Sequence, residues 1–238
     1  MNRLAQMVLK NILHVPGVYS KLRHYAKHAE DYPEAERFEH IRHMLRLAVK
    51  AGNVEIKTFG QENIPESGGV LFYGNHQGMF DVVALALTCV RPIGAVFKKE
   101  LAGYPVVKEV VASTNSFSMD RGDVRQSMTV IQNVTAEVMK GRCYLIYPEG
   151  TRSRKGNEMG EFHAGSFRCA VKSKCTVVPV AVVNSFAVLD RKGSGPIDME
   201  IHYLPAIPCE EYQNMKTGEL ADLVKGRIAE KIAERTEA

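Results

Sequence analysis

The sequence predicts an α/β protein with a mixed, mostly parallel sheet flanked by helices, preceded by an N-terminal amphipathic helical segment. Three observations carry this. After Gly52, short apolar runs of strand length alternate with longer stretches of helical character, the rhythm of a sheet with crossover helices rather than of a bundle. Runs such as Val70 to Tyr73 and Cys143 to Tyr147 have the length and β-propensity of buried strands. Both runs break abruptly into polar turns, the position from which α/β folds present side chains to a substrate.

The 238 residues, 45% hydrophobic and 24% charged, are enough for one large α/β domain with a well-buried core. The division expected is a helical, membrane-associating segment over 1–52 and the α/β domain over 53–238. The five cysteines are scattered and never spaced as CxxC, so neither a disulfide framework nor a zinc site is expected, and a reduced, cytosolic setting is. No stretch reaches the roughly 18 to 20 apolar residues of a membrane-spanning helix. The N-terminus lacks the long apolar run and small-residue cleavage site of a secretory signal. The net charge of +4 is modest, and no nucleic-acid partner is expected.

In order along the chain, Leu4, Met7, Val8, Leu9, Ile12 and Leu13 recur at near-helical spacing, predicting an amphipathic helix over residues 2–15. Pro16-Gly17 should break it, a second helix should run over 18–29, and a third from about Ala35 to Ala51, stopped by Gly52. These helices carry Lys10, Lys21, Arg23, Lys27, Arg37, Arg42, Arg46 and Lys50. A basic segment with an apolar side fits either an anionic membrane surface or helices packed on the domain with a solvated face. Strands are expected at 54–59, 70–73, 93–97, 114–119, 143–147, 176–183 and 197–203. Helices should fall at 79–89, 123–140, 162–174 and 218–235, that from Asp123 having an Asp N-cap and Gly141 beyond its end.

The first polar turn delivers His76 and Asp81 with four residues between them. A neutral imidazole can take a proton from a hydroxyl, and a carboxylate on its other nitrogen fixes the tautomer and stabilises the imidazolium. Along a continuous helix the two side chains would point about 140° apart. They can meet only if His76 lies in the turn and Asp81 in the first helical turn. By themselves, the two residues read more readily as a surface turn histidine and a helix-capping carboxylate than as a catalytic pair. The second turn, Pro148-Glu149-Gly150-Thr151-Arg152-Ser153, sets Arg152 at a strand end, with Arg154 and Lys155 behind it. An Arg fork there suits a phosphate or carboxylate, or is a solvated basic loop.

Four blocks in order resemble the glycerophospholipid acyltransferases, most closely the bacterial 1-acyl-sn-glycerol-3-phosphate acyltransferases. Asn75-His76 through Asp81 matches the family's NHxxxxD, and Ser118-Met119-Asp120-Arg121 is a variant of its second block. Tyr147-Pro148-Glu149-Gly150-Thr151-Arg152-Ser153 matches the EGTR block, and Val177-Val178-Pro179-Val180-Ala181 the apolar fourth block. The resemblance spans residues 75 to 181. It departs at Ser118, where a bulkier apolar residue is usual, and at Phe162-His163-Ala164-Gly165 in place of a Lys-rich F-x-x-G; a surface role is expected for His163.

The resemblance implies that His76 is the general base on the sn-2 hydroxyl of a lysophosphatidic acid, supported by Asp81, and that the hydroxyl attacks an acyl thioester directly. The co-substrate would be acyl-carrier protein or coenzyme A, with no cofactor and no metal. Arg152 would hold the acceptor's phosphate, with Lys99 and Arg121 as further phosphate contacts. Asn75, Glu149, Gly150 and Thr151 would shape the turns. A lipid acceptor implies a membrane surface as partner and a peripheral position on the cytoplasmic face of the cell membrane. The alternatives are the same chemistry on another lysophospholipid or an amino-acid lipid, and a non-catalytic lipid-binding protein of the same fold.

Overall fold

The computed structural model describes residues 2–191 and 193–237. Three helices come first: α1 (Arg3–Lys10), α2 (Val15–Lys27) and α3 (Glu34–Gly52). Then follow β1 (Val54–Phe59), β2 (Val70–Gly74), α4 (Phe80–Thr88), β3 (Ile93–Lys98), α5 (Val107–Ser113), β4 (Phe117–Met119), α6 (Val124–Met139) and β5 (Cys143–Ile146). The chain ends with α7 (Arg168–Ser173), β6 (Thr176–Val183), α8 (Phe186–Asp190), β7 (Ile197–Tyr203), α9 (Cys209–Tyr212) and α10 (Thr217–Thr236). The seven strands form one sheet in the order β1-β7-β6-β2-β5-β3-β4. Every neighbouring pair is parallel except β6 with β7. Mixed and mostly parallel is therefore the observed architecture.

Alternation along the central strands divides the core in two. Val70 and Phe72 of β2, Leu145 of β5 and Val178, Val180 and Val182 of β6 face one layer, with Phe80, Ala84 and Leu85 of α4 and Phe38 of α3. Leu71, Tyr73, Tyr144, Val177 and Val183 face the other, with Val130 and Val134 of α6 and Leu220, Val224 and Ile228 of α10. Such strands are apolar on both faces because helices cover both, and each buried aliphatic side chain contributes about 1.5–3 kcal/mol. The registers Tyr73 with Ile146 and Tyr73 with Pro179 bring the C-terminal ends of β2 and β5 level, while β6 continues past both.

Several boundaries differ from the sequence expectation: the helix expected over 2–15 stops at Lys10 and gives way to a turn, and that expected over 162–174 is a short 3-10 turn at Ala164–Phe167 followed by α7. Pro16-Gly17 does not break a helix but lies in the first turn of α2, where a missing N–H is harmless and a fixed φ is favourable. The expected strand from Thr114 shortens to β4, because Thr114 closes α5 through its N–H to Val110 O.

The orientation of α1 is unusual. Its buried residues are Arg3, Gln6 and Met7, whereas Leu4, Val8, Leu9 and Ile12 are each more than half exposed, and Leu13 is 90% exposed. Arg3 donates to Gly52 O and, at 2.9 Å, to Gly195 O, and Gln6 Nε2 donates to Ala51 O at 2.9 Å. Polar side chains thus dock this helix by capping carbonyls at the end of α3 and beyond α8, and the apolar side faces outward.

Candidate active site

Continuous apolar sequence brings β2 into the centre of the sheet, and the turn-forming Gly74-Asn75 then ends it. Asn75, 1% exposed, extends the ladder with its side chain: Nδ2 donates to Val182 O at 2.9 Å and Oδ1 accepts from Val182 N at 2.8 Å. An amide side chain here replaces a backbone peptide against β6 and frees the main chain to turn outward. His76 follows at the lip of the sheet.

His76 lies in the turn and Asp81 in the first turn of α4, which brings His76 Nδ1 to 2.7 Å from Asp81 Oδ2. Asp81 is fully buried. Its Oδ2 also accepts the N–H groups of Gln77 at 2.8 Å and Gly78 at 3.0 Å, and its Oδ1 accepts from the Ser185 hydroxyl. A carboxylate so surrounded by donors accepts only, so Nδ1 carries the proton and Nε2 is left as the basic nitrogen. The Tyr147 ring stacks on the imidazole, centroids 4.2 Å apart and planes within 15°. Burial pushes the Tyr147 phenol well above its ordinary range, so it stays neutral.

The second turn closes on the first. Glu149, 5% exposed, accepts His76 N at 2.7 Å on Oε1 and Gly160 N at 2.8 Å on Oε2, while Ser153 N donates to His76 O at 2.9 Å. Both backbone polar groups of His76 are therefore held by the loop after β5. Burial raises the Glu149 pKa, against the pull of the two N–H donors. Gly150 has φ +69, a conformation that favours glycine, and the exposed His163 ring lies 3.3 Å from where a Cβ would sit. Thr151 is exposed and its side chain makes no hydrogen bond among the described residues.

Arg152, next to Ser153, is half-buried and has no hydrogen bond or ion pair among the described residues. Lys99 pairs with Asp120 at 3.2 Å in an exposed contact, and the backbone N–H of Gly122 followed by Lys99 holds the Asp120 carboxyl below its usual range. Arg121 is exposed and, among the described residues, unpaired. Lys99 and Arg121 follow β3 and β4, one and two strands beyond β5 on the same edge. His163 is exposed and lies against Gly150, its N–H on Pro148 O at 2.9 Å.

Sequence reasoning missed the residues that lock this edge together. Gln77, 2% exposed, donates to Val182 O at 2.9 Å and Asn157 Oδ1 at 2.8 Å and accepts Ser185 N at 3.0 Å. Asn157 in turn accepts Asn184 N at 2.9 Å. The break from Val183 into Asn184-Ser185 is the same strand-end signal that marked His76 and Arg152; Gln77 has no signal beyond its place beside His76.

The acyltransferase family model matches residues 55–183. A 1-acyl-sn-glycerol-3-phosphate acyltransferase of Salmonella typhimurium is 30% identical over 170 residues, 70% of this chain and 68% of that one. This chain belongs to the acyltransferase family. The Borreliella burgdorferi protein of the same name is 24% identical over 194 residues, covering 81% of this acyltransferase and 77% of its relative. The 1-acyl-sn-glycerophosphate acyltransferase of Thermotoga maritima superposes with a TM-score of 0.78 at 17% identity over 99% of this chain and 97% of the other, a likeness of fold. The matched region contains His76, Asp81, Glu149 and Arg152 and stops two residues before Ser185.

Proposed function

We propose that this acyltransferase moves a fatty acyl group from an acyl thioester to the sn-2 hydroxyl of 1-acyl-sn-glycerol-3-phosphate, giving phosphatidic acid. The observation that carries this reading is the imidazole at the mouth of the sheet with Nδ1 bound to a buried carboxylate. The hydroxyl gives its proton to His76 Nε2 as its oxygen attacks the thioester carbon. The tetrahedral intermediate then collapses, the C–S bond breaks, and the imidazolium returns the proton to the departing sulfur. Asp81 holds the ring in the right tautomer and stabilises the imidazolium.

Direct attack is supported by the state of the thiols. Cys89, Cys143, Cys169 and Cys175 are buried, and burial pushes the first and last up to about 11 and the other two to about 12, the reverse of an activated nucleophile. The unpaired Arg152 beside the His76 turn suits the acceptor's phosphate; Lys99 and Arg121 are more distant aids. Relatives named as 1-acyl-sn-glycerol-3-phosphate acyltransferases support this acceptor. The donor is acyl-carrier protein or coenzyme A. The outward apolar side of α1 supports peripheral attachment to the cytoplasmic face of the membrane, and no helix of the described residues is long and apolar enough to cross a bilayer.

The test is acyl transfer to lysophosphatidic acid and to an uncharged monoacylglycerol. Arg152→Ala should lose about 30-fold or more in kcat/KM on the phosphorylated acceptor, the loss of a charged hydrogen-bonded contact, and little on the other. Equal loss on both would remove Arg152 as the phosphate ligand.

A further inference from the structure

We infer that Ser185 is a positioning residue for the reaction, acting on His76 through the far oxygen of Asp81. The inference rests on the reading of His76 as general base. Ser185 is 1% exposed and, besides His76, is the residue whose side chain touches the Asp81 carboxylate. The two oxygens are unequally supplied. Oδ2 takes His76 Nδ1 and the Gln77 and Gly78 N–H groups at 2.7, 2.8 and 3.0 Å. Oδ1 has the Ser185 hydroxyl and a longer contact of 3.2 Å with Gly78 N.

A donor on Oδ1 has two consequences. It fixes the rotation of the carboxylate, so that Oδ2 is presented to Nδ1. It also draws negative charge away from Oδ2 and so tempers the pull of the carboxylate on the imidazole proton. The other carboxylate at the histidine, Glu149, accepts its backbone N–H on one oxygen and Gly160 N on the other, and the Tyr147 ring stacks on the imidazole. The adjoining turn carries the cations Arg152, Arg154 and Lys155.

The position of the hydroxyl does not depend on the hydroxyl. Ser185 N is held by Gln77 Oε1 at 3.0 Å, and Gln77 is anchored to Val182 O and Asn157. Ser185→Ala should therefore delete one oxygen from an otherwise unchanged frame.

The experiment is a pH profile of kcat/KM, with kcat and acceptor KM, for wild type, Ser185→Ala and Ser185→Cys, each also in an Asp81→Asn background, beside His76→Ala. Ser185→Ala should lower kcat about tenfold, the scale of a charged hydrogen bond, leave KM within about twofold, and move the acidic limb upward by about half a unit. Ser185→Cys, close in size and a weak donor, should fall between. In Asp81→Asn the amide keeps its oxygen on the Gln77 and Gly78 N–H groups and turns its NH₂ to Ser185. The charge is gone, and Ser185→Ala should then cost less than about twofold. Equal losses in both backgrounds, or an unmoved limb with unchanged kcat, would overturn the inference alone, provided His76→Ala is inactive. Near-wild-type activity of His76→Ala would overturn the reading of the base and this inference with it.

Discussion

Glu149 does more for the site than its place in a turn motif conveys. Each of its oxygens takes one backbone N–H, from His76 and from Gly160. Glu149→Gln keeps the shape but turns an NH₂ group toward one of those donors, replacing a hydrogen bond by two opposed N–H groups. The expected cost is about 1–3 kcal/mol of stability, read by urea unfolding, together with a fall in kcat as the His76 backbone is released. Unchanged stability would mean that the pairing of the two turns does not matter to the fold. Gly150 shows a different dependence, since its φ of +69 favours glycine without invoking chemistry.

At the scale of elements, helix α3 is joined to the sheet by charge as well as by packing. Arg142, at the start of β5, bonds Glu34 of α3 through Nε at 3.2 Å and through Nη2, Glu137 of α6 through Nη1 at 2.7 Å, and Thr114 O at 3.1 Å. Its side chain is 14% exposed. Arg142→Met removes the cation that bridges two half-buried carboxylates, leaving Glu137 with Lys140 and Glu34 with only the neighbouring charge of Arg37. The expected loss is about 2–3 kcal/mol, measured by the urea midpoint. Restoration by a second change, Glu34→Gln, would show that the stranded charge is the cause.

What was legible in the sequence follows from the range of the interactions concerned. β1, β6 and β7 match the expected strands residue for residue: β6, buried almost throughout, is written as a run of consecutive apolar residues, and the edge strand β1 as an alternation of inward and exposed side chains. The short α5, α8 and α9 were not foreseen: helices of four to seven residues are too brief for a 3.6-residue period to register. The His76 to Asp81 contact was readable because it is local. The clamp of Gln77 on Val182 and Ser185 joins residues more than a hundred positions apart, and nothing at Gln77 announces its partner. The opposite error threatened α1, where periodicity indicates an apolar side but not whether it faces the core.

The whole molecule turns that side outward. Leu4, Val8 and Leu9 of α1, and Ile12 and Leu13 of the turn that follows it, are exposed; α1 packs against α3 and α8, and α8 begins immediately after Ser185. Membrane attachment through these side chains would hold the site's edge near the lipids it consumes. Removing residues 1–50 would also strip Met7 and Phe38 from the core they share with β2, so point changes are the cleaner probe. Leu9→Asp, Ile12→Asp and Leu13→Asp together should leave the melting temperature within a few degrees, since all three are exposed. They should abolish flotation with anionic liposomes, and flotation equal to wild type would assign attachment to another surface.

Every chemical step proposed for this molecule passes through one nitrogen, Nε2 of His76. The decisive measurement is single-turnover transfer from an acyl thioester to lysophosphatidic acid by His76→Ala beside wild type, with both folded to the same melting temperature. Loss of the general base should slow transfer by at least ~10² while leaving acceptor binding intact. Transfer by His76→Ala at a rate near that of wild type would contradict the mechanism at its centre.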